Sequence, residues 1–432
     1  MSSPRVFFSH VQLVLRAFAS RNYRLYFSGL TISMTGSWMQ NIAMSWLIYR
    51  LTHSPFLLGL VAFLGQAPAL FLNPLAGVLA DRISKRRIMC VTQSLAALHA
   101  LALAALTIAG IIQPWHIITL TLLMGFVMPF DVTARQSFVL DVVGRKDLLG
   151  NAIALNSVIF NIARFIGPAV AGVLTAWAGE GICFLINALS YGAALAALWA
   201  LNVHEPPASR AHHHFLRELG QGISYAWQLR PARTLLLLTA FVSLAGLPYN
   251  TLMPVFAREI LGGRARTLGF LNSGIGLGAL AGALYLASRP SINGLGSIVG
   301  IASGLFGAGL AAFALSRNFR LSLAIMPIVG AGVLMQLAST NTLLQTVADD
   351  HHRGRIVSLY TTAMMGLLPY GCLVHGAAAH AIGAQPTLFV SGLLCVGAAV
   401  MYRLYLPFVR ADADAAHARL ATPPSLPNGP RC

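Results

Sequence analysis

Charge is the scarce quantity in this sequence. Only 9% of its 432 residues are Asp, Glu, Lys or Arg, against 56% hydrophobic. A water-soluble domain carries about a quarter charged residues, so a soluble body of this size lacks the polar surface it needs. Acidic groups are scarcer still, 12 against 29 basic ones. Cysteine is sparse and scattered: Cys90, Cys183, Cys372, Cys395 and Cys432 show no CxxC or ligand-like spacing. Neither disulfides nor a zinc site is expected. A phosphate-binding loop is missing, because Gly274-Ile-Gly276-Leu-Gly278 lies in an apolar run and lacks the lysine. It reads as close helix packing, so no primary pump and no cofactor is expected. No apolar run pairs a nucleophile with a base or gathers metal ligands, and an enzyme is not expected either. The first residues hold Arg5, Arg16, Arg21 and Arg24 without the short apolar core and cleavage site of a secretory leader. They read as a basic, partly amphipathic lead-in to a membrane surface.

Long apolar runs are what the chain has in quantity. A bilayer-spanning helix needs about 20 mainly apolar residues. Such runs recur near 25–48, 56–79, 88–110, 116–139, 150–176 and 181–201, then near 234–256, 267–288, 295–315, 321–344, 356–379 and 385–406. The expected fold is an all-α membrane protein with twelve transmembrane helices. The one long internal polar stretch, 202–233, divides it into halves of six. The expected organisation is a lead-in at 1–24, helices over 25–201, a linker over 202–233, helices over 234–406 and a tail over 407–432.

The net charge of +17 invites a nucleic-acid reading, which fails once the charges are placed. With twelve spans both termini share a side, and 22 of the 29 basic residues fall there, in clusters such as Arg82-Lys85-Arg86-Arg87, Arg135-Arg145-Lys146 and Arg353-Arg355. Six (Arg50, Arg258, Arg264, Arg266, Arg317 and Arg320) fall opposite, and Arg164 lies inside a span. The positive-inside bias then predicts cytoplasmic termini and linker, with a lipid bilayer and not nucleic acid as the partner.

The halves echo each other. Leu58-Gly59-Leu60 opens the second span and Leu268-Gly269-Phe270 the eighth. Asp141 with Arg145-Lys146-Asp147 precedes the fifth, and Asp349-Asp350 with Arg353 and Arg355 the eleventh. Parallel six-helix repeats around a midplane cavity are one transporter plan.

The loop Gly77-Val-Leu-Ala-Asp81-Arg82-Ile-Ser-Lys85-Arg86-Arg87 resembles the signature loop of the major facilitator superfamily, with Ser84 where a second glycine is usual. Gly36-Ser-Trp38-Met-Gln40, Asp131-Val-Thr-Ala-Arg135-Gln136, Ala152-Ile-Ala-Leu-Asn156 and Ala163-Arg164-Phe-Ile-Gly167-Pro168 are similar to its transmembrane secretion effector branch. The resemblance covers about residues 20 to 405 and implies two six-helix bundles rocking around a central cavity. Gly167-Pro168-x-x-Ala171-Gly172 is similar to the fifth-helix antiporter motif, with alanine for one glycine; its plain reading is ordinary helix packing.

Charge inside hydrocarbon costs about 2.5–3.5 kcal/mol at a span centre, so it faces a cavity or a partner. Arg164 and Asp131 qualify. Asp131 has three candidate partners. Arg164 on the next span is one, and Arg135, one helical turn away, is another. The resemblance supplies the third, Lys85 or Arg86, as a latch of the inner gate. Asp81 is expected to meet a neighbouring helix start. Asp131 is the only carboxylate placed within a span, so proton coupling is assigned to it, with an anionic substrate competing for Arg164. His99 and His375 titrate near neutral pH unless satisfied by hydrogen bonds. Trp38, Phe63, Gln40, Asn41, Tyr249, Asn250, Gln336 and Asn341 are expected to line a solute cavity, with helix–helix glue as the alternative. The His212-His213-His214 tract reads as solvated, and no metal site is expected.

The expected function is export of a siderophore-like or hydrophobic drug-like compound across a bacterial inner membrane, by proton antiport and as a monomer. A nutrient importer of the same fold and a non-translocating sensor are the rival readings.

Overall fold

The computed structural model describes residues 16–203, 224–289, 291–349 and 352–421. The His212-His213-His214 tract, most of the linker and the end of the tail lie outside these residues. Within them the chain is helical, with no strand. We number the long helices α1 (Arg21–Thr52), α2 (Pro55–Arg82), α3 (Lys85–Ile108), α4 (Pro114–Val143), α5 (Leu149–Ala178) and α6 (Glu180–Ala200). After the linker come α7 (Arg230–Ile260), α8 (Ala265–Ala287), α9 (Leu295–Leu315), α10 (Phe319–Val347), α11 (Arg353–Ile382) and α12 (Ala384–Ala421).

Local chemistry sets the boundaries. Ser20, Ser54 and Ser84 each accept a backbone N–H from the first turn of α1, α2 and α3, and Asn318 does so for α10. Such caps satisfy donors that a helix start leaves open. At the other end of α4, Gly144 takes φ 68, a backbone that glycine adopts without strain. The helix ends four residues beyond the run read from hydropathy, and Arg135 lies inside it, as the 116–139 run places it.

Eleven helices, α2 to α12, are long and apolar enough to cross a membrane. The protein is a multi-pass membrane protein. α1 falls outside that set because it carries Ser33, Ser37, Gln40, Asn41 and Ser45. Exposed tryptophans mark both ends of the spans: Trp115 and Trp177 on one side, Trp199 and Trp227 on the other. Tryptophan collects at the two membrane–water interfaces.

Packing repeats with a period of six helices. α1 packs on α5 and α6, α2 on α4, and α3 on α4 and α6; correspondingly, α7 packs on α11 and α12, α8 on α10, and α9 on α10 and α12. Across the halves, α5 meets α8 and α2 meets α11. Glycine permits these crossings. A Cβ on Gly172 would stand 2.9 Å from the Gly269 Cα, and one on Gly59 would stand 2.5 Å from the Cys372 carbonyl. A Cβ on Gly276 would meet the Phe165 Cα at 2.7 Å, so the glycine-rich run does serve close packing.

These crossings lie at mid-height or toward the end holding the α1–α2 turn, here called the far end. The opposite end is here called the near end. Gly77 on α2, Gly150 on α5 and Gly354 on α11 would each place a Cβ in open space. Phe71 and Leu75, on the near half of α2, are 71% and 59% exposed.

Two spans are broken. α7 leaves α-geometry after Ala245, passes through a 3-10 segment at Leu247–Leu252 that holds Pro248, and ends in a π-turn at Phe256–Ile260. α11 contains a π-turn at Thr362–Gly366. The Ser243 hydroxyl donates to the Met364 carbonyl at 2.8 Å, satisfying one of the groups this turn disturbs. Irregular backbone at membrane depth persists only where protein or a wet cavity covers it.

Glycine interlock predicts a sharp contrast. A Cβ on Gly278 would lie 1.9 Å from the Pro327 carbonyl, whereas one on Gly192 would touch nothing within 4 Å. Gly278→Ala should cost about 1–3 kcal/mol of overpacking, and Gly192→Ala should stabilise by about 0.5–1 kcal/mol. Thermal unfolding of the purified variants in detergent checks this; equal midpoints would refute the interlock.

Candidate functional site

Polar groups inside the spans gather in two places, and the near-end loop forms a third. In that loop Asp81 ends α2 with an exposed carboxylate that makes no hydrogen bond or ion pair among the described residues. The start of α3 is capped instead by Ser84, which accepts the Arg87 N–H at 3.3 Å. Lys85 pairs with Asp141 of α4 at 2.6 Å, not with Asp131. Arg86 donates to the Trp199 carbonyl of α6 at 2.9 Å. Arg82 and Arg87 point to solvent. In the next near-end loop, a hydrogen bond from Arg145 holds the Asp147 carboxyl below its ordinary value.

Asp131 is 1% exposed and lies inside the first half. Its Oδ1 accepts from the Thr92 hydroxyl at 2.9 Å and the Gln93 amide at 2.8 Å. Its Oδ2 pairs with Arg135, the helical neighbour that was one of its three candidates. The seam runs on. Gln93 reaches Ser33 of α1 at 3.4 Å, and Ser37, one turn along, shares a 3.0 Å bond with Tyr191 of α6. Farther along α1, Gln40 accepts from Asn187 at 2.9 Å and meets His99 at 3.3 Å. The polar face of α1 thus turns toward α3, α4 and α6. Tyr26 beside this seam has a buried hydroxyl without a partner, and so does His99 Nε2.

Arg164 sits elsewhere. At mid-height of α5 it is half-buried, its guanidinium 5.9 Å from the Trp38 ring centroid. The Tyr249 side chain, from the broken part of α7, lies close enough for its phenol to feel the guanidinium charge. Trp38 packs edge-on to Phe160 at 5.7 Å, and Tyr249 edge-on to Phe306 at 5.8 Å. No carboxylate among the described residues pairs with Arg164. The expected Asp131–Arg164 pair is therefore not formed in this structure, because Arg135 already occupies the carboxylate.

The other expected cavity residues divide. Tyr249 and Trp38 meet around Arg164. Gln40 lies in the interior seam, bonded to Asn187 and His99. Asn41 and Asn250 are exposed on their helices. Gln336 is fully buried on α10 with its Oε1 unpartnered, and Asn341 accepts from Gln345 at 3.1 Å. Phe63 packs edge-on to Tyr370 at 5.4 Å, at the crossing of α2 and α11. His375 has oxygen partners on both nitrogens, at 2.9 Å and 2.6 Å, as a satisfied core histidine does. Gly167 abuts Trp38, and the Pro168 carbonyl abuts Gly269, so the run on α5 positions both α1 and α8.

Two far-end contacts escaped the sequence reading. Tyr49 of α1 donates to Glu259 in the π-turn of α7, tying the halves together. Arg50 grips Glu180 of α6 through two bonds of 2.9 and 3.1 Å.

A match to the transmembrane secretion effector family runs over residues 14–427. The chain belongs to that family, a branch of the major facilitator superfamily. Curated relatives of this secretion effector include the staphyloferrin A transporter of Staphylococcus aureus, 25% identical over 86% of this chain and 94% of that one. The multidrug efflux pump Tap of Mycobacterium tuberculosis is 26% identical over 88% and 92%. Macrolide efflux protein A of Streptococcus pyogenes is 22% identical over 88% and 96%. Among solved structures, the peptide transporter POT shares the fold with TM-score 0.72 at 12% identity, covering 91% of this chain and 96% of that one. The nucleoside transporter NupG does so with TM-score 0.69 at 15% identity over 91% and 99%. The protein is a membrane transporter, not an enzyme.

The buried pair in this secretion effector is sensitive to one-sided change. Asp131→Ala leaves a buried arginine charge uncompensated, at a cost near the low end of about 3–5 kcal/mol because part of Arg135 reaches the surface. Combining it with Arg135→Leu should restore most of that loss. Unfolding of the single and double variants in detergent measures the coupling; additive losses would show that the two side chains do not interact.

Proposed function

We propose that this protein exports a small organic compound, siderophore-like or hydrophobic and drug-like, out of a bacterial cytoplasm by alternating access driven by protons. The observation that carries this reading is the one-sided contact between the halves. α2–α11, α5–α8 and the Tyr49–Glu259 bond close the far end, while Gly77, Gly150 and Gly354 stand clear at the near end. With the basic residues clustered at the near end, that end is cytoplasmic and the conformation is open inward. The helix pairing supports two six-helix bundles, with α1 as the twelfth span: its residues 25–49 carry no charge, and Ser33, Ser37 and Gln40 are hydrogen-bonded inside the bundle. Its rocking partners are the bundles over 25–201 and 234–406, joined by the 202–233 linker, and one copy suffices.

Export fits the relatives, two of which are named for efflux and one for a siderophore. In this reading Asp81 gains its partner only when the near end closes, which is why its carboxylate stands exposed in the open state. Asp131 carries the proton. It takes up the proton when its bond to Arg135 breaks and releases it when that bond is remade. Gly167, Pro168 and Gly172 form the helix contact around which the bundles turn.

Proteoliposomes with an acid interior and a fluorescent aromatic carboxylate dye outside test the direction. Antiport predicts dye accumulation as protons leave, an importer predicts movement with the protons, and a sensor predicts none. Asp131→Asn should still move dye down its own gradient but lose the response to pH; retained pH-driven accumulation would end its coupling role.

Closure of the far end has its own measurement. Cys372 lies 4% exposed beneath the α2–α11 crossing. In a chain whose other four cysteines are serine, Tyr49→Phe should raise labelling of Cys372 by a membrane-impermeant maleimide from outside by about fivefold, the equivalent of one hydrogen bond of about 1 kcal/mol. Unchanged labelling would remove Tyr49 from the gate.

A further inference from the structure

We infer that Arg164 is the anion-receiving element of the solute site, so that the transported compound presents a carboxylate carried on an aromatic or conjugated framework. This inference rests on the transporter reading above.

The starting point is an imbalance. An arginine at mid-span costs several kcal/mol unless a counter-group or a wet cavity offsets it. Three other basic side chains of the helices pair with carboxylates: Arg135 with Asp131, Lys85 with Asp141, and Arg50 with Glu180. Arg164, at mid-span, has no such partner among the described residues. The elements around it offer no acid to take that place. Trp38 faces it from α1 and Tyr249 from α7. α8, which packs along its backbone, contributes Gly276 there, and its charged residue Arg266 is held over Phe270 at the far end. The acid of α7, Glu259, is engaged by Tyr49.

What surrounds the guanidinium is a recognition surface. A guanidinium carries five N–H donors in a flat fork that matches the two oxygens of a carboxylate, and a phenol oxygen can satisfy only part of that fork. Trp38, backed by Phe160, supplies a flat apolar wall on one side. Tyr249 comes from the opposite half and from a stretch whose backbone is irregular. A ligand seated here touches both halves at once, where a change in their relative position is felt. An anion also replaces the missing counter-charge, so binding is favoured most where charge neutralisation and stacking coincide. A neutral isostere of the same ring gains the stacking and leaves the arginine uncompensated.

Equilibrium dialysis on the purified full-length protein tests this with two probes of equal shape, radiolabelled 1-naphthoate and 1-naphthamide. The wild type should prefer the acid by about tenfold, the equivalent of one charge-assisted pair. Arg164→Gln should reduce that preference to within about twofold, Arg164→Lys should keep part of it, and Trp38→Leu should weaken both probes alike. Circular dichroism and gel filtration establish that each variant is folded. Equal affinity of wild type for acid and amide, a preference that survives Arg164→Gln, or no naphthoate binding at millimolar concentration would each overturn the assignment. Failure of binding alongside pH-driven dye accumulation by the wild type would sink this subsite alone; absence of that transport would sink the exporter reading itself.

Discussion

A charged side chain in hydrocarbon must find an opposite charge or water, and the arrangement of this protein follows from how few such charges it has. Each one admitted to the spans is expensive in isolation. The structure answers in two ways. Asp131 and Arg135 meet one helical turn apart and Thr92 and Gln93 support the carboxylate, so Asp131 is enclosed while part of Arg135 reaches the surface. Arg164 is left between aromatic rings at the junction of the halves, where a solute is the remaining source of negative charge. A buried ion pair contributes little net stability compared with an apolar isostere. Retaining the Asp131–Arg135 pair is thus more readily explained by what it can do when it separates than by what it contributes to folding.

Close packing without a hydrophobic driving force explains the glycines. Lipid is as apolar as leucine, so helices in a bilayer associate through backbone approach and van der Waals fit. Gly59, Gly172, Gly269 and Gly376 place main chain against main chain exactly where the two halves cross. Such surfaces are smooth, and smooth surfaces can separate without breaking interlocked side chains. The interlocks are elsewhere: Gly278 and Gly330 seat against the Pro327 and Ile275 carbonyls between α8 and α10, inside one half. The contact that holds a half together is thus deeper than the contact that joins the halves.

Much of this was legible from sequence because lipid imposes a simple grammar: runs of about 20 apolar residues, basic loops on one side, small residues at crossings. The family was legible from the loop around Asp81 and Arg82. What the sequence concealed depended on direction around a helix. Gln40 looked like a cavity residue, yet the turn of α1 aims it at Asn187, 147 positions away. The run read from hydropathy ends four residues short of α4 because hydropathy fades before the helix does; Gly144, and not the loss of apolar residues, ends α4. Lys85 found Asp141 and not Asp131, since Asp141 lies nearer the end of α4 where the loop can reach it. Tyr49 and Glu259 are 210 residues apart, and no local pattern announces a bond between them.

The two polar sites are linked through α1. Trp38, which flanks Arg164, stands one residue from Ser37, whose hydroxyl joins the interior seam at Tyr191, and two from Gln40 on the same seam. Adjacent residues on a helix point about 100° apart, so α1 presents the ring to Arg164 and the hydroxyl to the bundle interior. Gly36 and Gly167 let α1 sit hard against α6 and α5, with Ser190 and Trp38 as the abutting groups. In the proposed cycle, a solute that displaces Trp38 acts on a helix that cannot shift without disturbing the hydrogen bonds that lead to Gln93 and Asp131. The proposed coupling then needs no direct contact between Arg164 and Asp131; it needs α1 to move as a unit, which the close contacts on both its sides favour.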